Sequence, residues 1–203
     1  DINPMDELAI VGVNSQFSRL VGEHVRDLHA SCSPDLPCRH KELQFVLLRD
    51  SNRVPASNMI SKVDFACKTH KQNGQVVLRQ LHCASEHPWD PAMRYVRGCI
   101  NKNLRQLKHI VKNNIHLKAI LETLVVSSES RLLKIDIKDF FMSGSHRHLL
   151  SRVSRCAPQG AGQSFKDLVW CILHNQFVKA PGVSECFRVA IGSGMGLICS
   201  GEI

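Results

Sequence analysis

Helical and strand-like apolar spacings alternate along this chain without strand–helix–strand regularity, and that pattern constrains its fold most. In residues 4–30, Leu8, Val11, Phe17, Leu20, Val21, Val25 and Leu28 repeat at helical spacing. Glu42 to Leu48 has strand character after a proline-containing loop. Val63 to Cys67 and Val76 to Leu81 flank Gln72-Asn73-Gly74, and an Asn-Gly between apolar runs predicts a hairpin. Helical spacing returns near 92–112 and 115–126, where Leu117, Ile120, Leu121, Leu124 and Val125 share a face. Leu132 to Ile137 reads as a strand, 144–155 as a helix, Phe165 to Phe177 as a helix and Cys186 to Ile191 as a strand. A glycine-rich segment, 192–196, then leads into a final helical start. The mixture predicts an α+β fold rather than a doubly wound sheet.

A chain of 203 residues with 43% hydrophobic residues can bury a sizeable core, and 5% aromatics make that core mostly aliphatic. No stretch approaches the roughly 20 apolar residues of a membrane span, and no secretory signal stands at the N-terminus. Nine cysteines, with no CxxC pair, point to free thiols in a reducing compartment. Cys32, Cys38 and His40 could supply zinc ligands, but no second pair at finger spacing follows, so a proline-rich loop is the plainer reading. Both ends look cut, since the chain starts at Asp1 and stops at Ile203 within a helical start. Charge is localised: residues 62–118 carry eleven Lys and Arg against three Asp and Glu, whereas 1–61 net −2 and 119–203 net +2. A basic segment of this kind suits either a nucleic-acid surface or a solvated helix face.

Three motifs carry chemistry. The run Lys134-Ile135-Asp136-Ile137-Lys138-Asp139-Phe140-Phe141 places a carboxylate at a strand end, followed by two aromatics. Nucleotidyl transfer uses two divalent metals, and a strand-end carboxylate can hold them rigidly. Lys68-Thr69-His70-Lys71 and Arg79 put cations on two paired strands, where they could clamp a triphosphate. Gly192-Ser193-Gly194-Met195-Gly196 would let backbone approach a base or phosphate closely. It is not a dinucleotide fingerprint, because the third glycine falls one residue early and Leu occupies 197. His146 and His148 could pair on a metal but read better as surface helix residues.

In order and spacing, KTHK…R, KIDIKDFF and HNQFVKAPGVSECFRVAIGSGMGL resemble the reverse transcriptases, most closely the Penelope-like retroelement type, over roughly 62–203. The resemblance implies a polymerase right-hand fold: an N-terminal helical extension of the fingers at 1–61, fingers at 62–130, and a partial palm at 131–203 with a small antiparallel sheet packed by helices. It implies that Asp136 is a catalytic, metal-binding aspartate and that Ile137 offers its backbone carbonyl to Mg²⁺ or Mn²⁺. By the same resemblance, Phe141 is the steric gate against a 2′ hydroxyl, and Lys68 and Arg79 contact the triphosphate. Met195 and Gly196 lie against the nascent base pair and template, while Asn175 and Phe177 look like packing residues. The partners implied are an RNA template, a DNA primer and deoxynucleoside triphosphates, with no membrane, in the nucleus or cytoplasm.

The chain also departs from the family. Gln80-Leu81 stands where Pro-Ile is common, residues 142–148 do not match the usual pattern, and no Asp-Asp occurs anywhere. The expectation is therefore fingers and partial palm without polymerase activity as an isolated chain. The alternatives are a non-catalytic nucleic-acid-binding remnant of the same fold and a plain α+β interaction domain.

Overall fold

A computed structural model describes residues 2–5, 7–31, 56–67, 78–84, 87–107, 109–137, 140–194, 199–201 and 203. Strand β1 (Ile2–Met5) precedes helix α1 (Glu7–Ala30). A 3-10 turn (Ala56–Met59) leads into β2 (Ile60–Cys67), which pairs with β3 (Leu78–Cys83). Helices α2 (Asp90–Leu104), α3 (Asn114–Thr123), α4 (His146–Val153) and α5 (Gly162–His174) follow, with 3-10 turns at Phe140–Met142 and Ser154–Cys156. Strands β4 (Phe177–Lys179) and β5 (Cys186–Val189) complete the described elements.

The five strands form one sheet in the order β1-β5-β4-β2-β3. Its pairs are antiparallel except β2 with β4, which run parallel and match Ile60 to Phe177, Ser61 to Val178 and Lys62 to Lys179. The sheet is thus mixed rather than antiparallel. The reason is connectivity: parallel strands need a long crossover, and α2 to α5 supply it. The sheet draws strands from all three sequence segments, 1–61, 62–130 and 131–203.

The helical spacing of α1 has its intended effect. Phe17, Leu20, Val21, Val25 and Leu28 are buried, while Arg19 and Arg26 face solvent. They pack with Trp89, Met93, Val96 and Ile100 around α2 and with Phe165, Leu168, Val169 and Ile172 of α5. Phe17 stacks on Trp89 with centroids 4.3 Å apart, and the Trp89 indole N–H donates to Asn14 Oδ1 at 3.0 Å. His24, fully buried, is satisfied on both ring nitrogens, by Ser164 Oγ at 3.0 Å and the Tyr95 hydroxyl at 2.8 Å. A buried imidazole is tolerated in an apolar core only when so paired. Pro91 opens α2, where its missing N–H costs nothing. Asn113 and Ser145 cap α3 and α4 by accepting from the N–H of His116 and His148.

Four local expectations change. Residues Ile2–Met5 are a strand on β5, not the start of the first helix, because pairing with Cys186–Val189 overrides local spacing. The helix expected to reach Phe177 ends at His174, and Asn175 closes it by donating from its side chain to Cys171 O at 2.8 Å. Phe177 lies four residues after Leu173, so helical periodicity could not separate it from α5. Leu132 to Ile137 forms no ladder with any described strand. Residues 131–137 are exposed throughout, with Leu132 98% and Ile135 78% accessible. A strand needs a partner edge, and this segment reaches neither β1 nor β3 among the described residues. Likewise α3 buries none of its residues, so its apolar face forms without a surface to cover it. The Glu42–Leu48 strand, the Asn73-Gly74 turn and the Cys32, Cys38, His40 group lie outside the described residues. Among the described residues no helix is long and apolar enough to cross a membrane.

Two outcomes follow for stability. Phe17→Ala should cost about 3–5 kcal/mol, since it removes a fully buried ring from the α1–Trp89 stack; urea denaturation measures it. His87 is buried, and desolvation lowers its pKa to about 4, partly opposed by the Met59 backbone. The unfolded chain therefore binds a proton before the folded chain does. The stability that neutral His87 contributes is complete above about pH 6.5 and is lost as pH falls through 4. Denaturation midpoints recorded from pH 7 to pH 4 should fall, and His87→Gln should flatten that slope.

Candidate functional site

The sheet has two faces. Alternation along the strands puts Ile60 and Phe177 on the face covered by the helical core, and Val63, Val178 and Val189 on the other. On that second face Met142 and Phe187 pack over the three valines. His82 stands directly opposite Val63 and shares its face. Beyond β5, Ile191 makes an isolated bridge to Ser145, and the chain then turns through Gly192-Ser193-Gly194.

That turn docks on the segment after Asp136. The carbonyl of Phe141 accepts from the N–H groups of Ser193 at 2.9 Å and Gly194 at 3.3 Å, and Gly192 N–H donates to Gly144 O at 2.9 Å. Both glycines hold positive φ, 77° and 68°. A Cβ on Gly192 would sit 2.4 Å from Phe141 O, and one on Gly194 would sit 2.6 Å from His82 Nδ1 and 2.7 Å from Gln176 Oε1. Only glycine permits this conformation at this separation. Gln176, in the link between α5 and β4, donates to Leu173 O at 2.8 Å and Gly192 O at 3.3 Å. The end of β3, the Phe140–Met142 turn, the α5–β4 link and the glycine turn thus meet in one place.

Two buried polar atoms at this junction have no hydrogen-bond partner: His82 Nε2 and Gln176 Oε1. Burial lowers the His82 pKa, which keeps the imidazole neutral near pH 7. Gln176 also lines a small cavity of about 10 Å³ with Ser61, His87 and Asn175 among its walls. A cavity of that size is at the lower limit for a single water.

The sequence-predicted site residues are only partly united. Phe141 is half-buried, with its ring edge-on to Phe140 at 5.2 Å, and its backbone anchors the glycine turn. Asp136 and Ile137 are described five and four residues upstream, exposed and without a strand partner. Arg79 pairs with Ala66 on the hairpin, and strand alternation puts it on the face opposite His82. Lys68, Met195 and Gly196 lie outside the described residues. His146, expected on the surface, is buried, whereas His148 two residues on is exposed. Position along α4 decides this, because residues two apart face different sides of a helix. Sequence reasoning passed over His82 and Gln176; a polar residue on the valine-lined face of the hairpin was the available signal for His82.

The donors for Mg²⁺ or Mn²⁺ do not assemble here. Among the described residues no group of three or more His, Cys, Asp or Glu is placed to hold a metal, and Asp136 is an isolated exposed carboxylate. No protein-family model matches the chain, and neither a curated protein nor a solved structure matches it.

The docked turn makes a measurable claim. Gly192→Ala should destabilise the protein by more than about 1 kcal/mol, since it adds a clash to the positive-φ penalty. Gly182→Ala also sits at positive φ (75°) but meets no atom within 4 Å. It should cost less, and paired urea titrations compare the two.

Proposed function

We propose that this chain is the fingers and first part of the palm of a reverse-transcriptase-like polymerase, and that alone it binds primer–template without extending it. The observation that carries the reading is the docking of Gly192-Ser193-Gly194 on the Phe141 carbonyl. Two motifs about fifty residues apart in sequence, one of which the resemblance assigns to the incoming nucleotide and the other to the nascent base pair and template, are thereby neighbours. Phe141 is then the steric gate, and by the resemblance Met195 and Gly196, outside the described residues, lie against the base pair and template. By the resemblance Lys68 and Arg79 contact the triphosphate, and Asp136 supplies one carboxylate. The basic segment 62–118 supplies the charge for a phosphate backbone, and Arg79, Arg94 and Arg97 are exposed in it.

Among the described residues no group of three or more His, Cys, Asp or Glu is placed to hold a metal, and no Asp-Asp occurs in the sequence. Binding and positioning are therefore the functions assigned to it, and metal-dependent transfer is not. A second reading, an α+β interaction domain, is favoured by one observation: the exposed apolar side chains of α3 and the segment after it, Ile115, Leu121, Leu124, Val125 and Leu132 among them.

Binding to an RNA–DNA primer–template should weaken linearly in log–log terms with salt, and Arg79→Ala should reduce the slope by about 1. Binding that ignores salt, or none at all, would favour the interaction domain. Primer extension with Mg²⁺ and deoxynucleoside triphosphates should yield no product. Robust incorporation would show that the chain carries its own catalytic set.

A further inference from the structure

A second cluster lies beside the glycine turn on the helical side of the sheet. Trp170 and His174, one turn apart on α5, stack with ring centroids 4.8 Å apart and an interplanar angle of 15°. Arg188 of β5 donates from Nη1 to His174 Nε2 at 2.9 Å. Because a guanidinium is always a donor, His174 Nε2 is the acceptor and a neutral His174 carries its proton on Nδ1. His146, the first residue of α4, stands edge-on to both rings, with centroids 6.4 Å from Trp170 and 6.2 Å from His174. It is 5% exposed, and its Nε2 has no hydrogen-bond partner. Trp170, His174 and Arg188 are half-buried, so solvent reaches the cluster.

The charge balance of this cluster is unusual. Arg188 forms no ion pair with a described carboxylate, and its polar side-chain partner is an imidazole. Burial, and after it the neighbouring Arg188 charge, hold the pKa of both His146 and His174 below the ordinary imidazole value. Glu185, three residues before Arg188, is exposed and accepts a hydrogen bond from Ser184 Oγ at 3.0 Å. A half-buried guanidinium is normally matched by an anion, because its remaining fork of donors is otherwise under-used. The site has one fixed positive charge, a neutral imidazole that accepts from it, and a second imidazole whose buried nitrogen has no partner among the described residues.

We propose that Arg188, His174 and His146 form a binding site for a phosphate group. Arg188 supplies the forked donors, Trp170 fixes the ring plane of His174, and the bound anion offsets the burial and the Arg188 charge that hold the His146 pKa down, so that its buried Nε2 takes up a proton and donates. The proposal does not rest on the polymerase reading: His174 and Arg188 fall within the HNQFVKAPGVSECFRVAIGSGMGL run, but the resemblance gives neither of them a role. The shared chemistry is that of free phosphate, a phosphomonoester and a nucleic-acid phosphodiester, and the test separates the phosphodiester from the other two.

The experiment titrates the 203-residue chain at constant ionic strength with inorganic phosphate, and separately with a single-stranded DNA oligonucleotide lacking a 5′ phosphate. The imidazole resonances are followed by NMR. Phosphate should shift the His146 and His174 signals saturably in the millimolar range and leave His24 and His87 in place. Arg188→Gln should abolish that saturable shift. If the oligonucleotide moves the same two signals, the source is a nucleic-acid backbone. If only inorganic phosphate does, the site takes free phosphate or a monoester. No shift with either probe, the same shift with chloride, or a shift that survives in Arg188→Gln would overturn the proposal. The wild-type titration decides alone if the variant does not fold.

Discussion

The parallel pairing of Ile60–Lys62 with Phe177–Lys179 holds this protein together as one unit. It joins a hairpin from the first half of the chain to a short strand more than a hundred residues later. Three residues of ladder are a small contact, yet every other assembly of interest lies on one side or the other of it. On one face it positions Ile60 and Phe177 over the core of α1, α2 and α5. On the other it aligns Val63 and Val178, over which Met142 and Phe187 close. Closing so long a loop carries an entropic cost before any contact compensates it. The burial of Phe17, Trp89, Phe165 and Phe177 provides the compensation.

The two faces divide the work of the molecule. On the helical face His24 is bonded at both ring nitrogens and Trp89 finds Asn14, although Asp90 Oδ1 at the start of α2 is buried with no partner among the described residues. The opposite face leaves His82 and Gln176 with unpartnered buried atoms beside a turn that only glycines can make. Unsatisfied polar groups of this kind concentrate where a protein does something other than hold itself together. The Trp170, His174, Arg188 and His146 cluster is a second such place, at the edge of the helical layer.

Much of the secondary structure was legible because its signals are local. The spacing of Phe17, Leu20, Val21, Val25 and Leu28 specified α1, and apolar runs on either side of Asn73-Gly74 specified the β2–β3 pair. The glycine-rich turn was legible as a place of close backbone approach, although its partner, the Phe141 carbonyl, was not. Where the reading failed, the deciding contact lay far away in sequence. Phe177 fits helical spacing from Leu173 and is a strand only because Ile60 and Arg188 flank it. Leu132–Ile137 has a strand's composition but meets no edge. Of the candidate site, Phe141 gained a defined neighbourhood, Arg79 fell on the face of its hairpin opposite His82, and Asp136 stands exposed, in no group of three or more metal-ligating side chains among the described residues.

The amino-acid sequence by itself determined the mixed α+β character, the helical stripes, the basic segment and the order of the motifs. Each of these is a property of residues near one another, or of composition alone. Only the tertiary structure decided the mixed strand order, the burial of His146, the orphaned atoms of His82 and Gln176, and the pairing of Arg188 with an imidazole rather than a carboxylate. These depend on which distant segments share a sheet edge or a helix face. Periodicity reports which side of an element is apolar, and it carries no information about which element will cover that side.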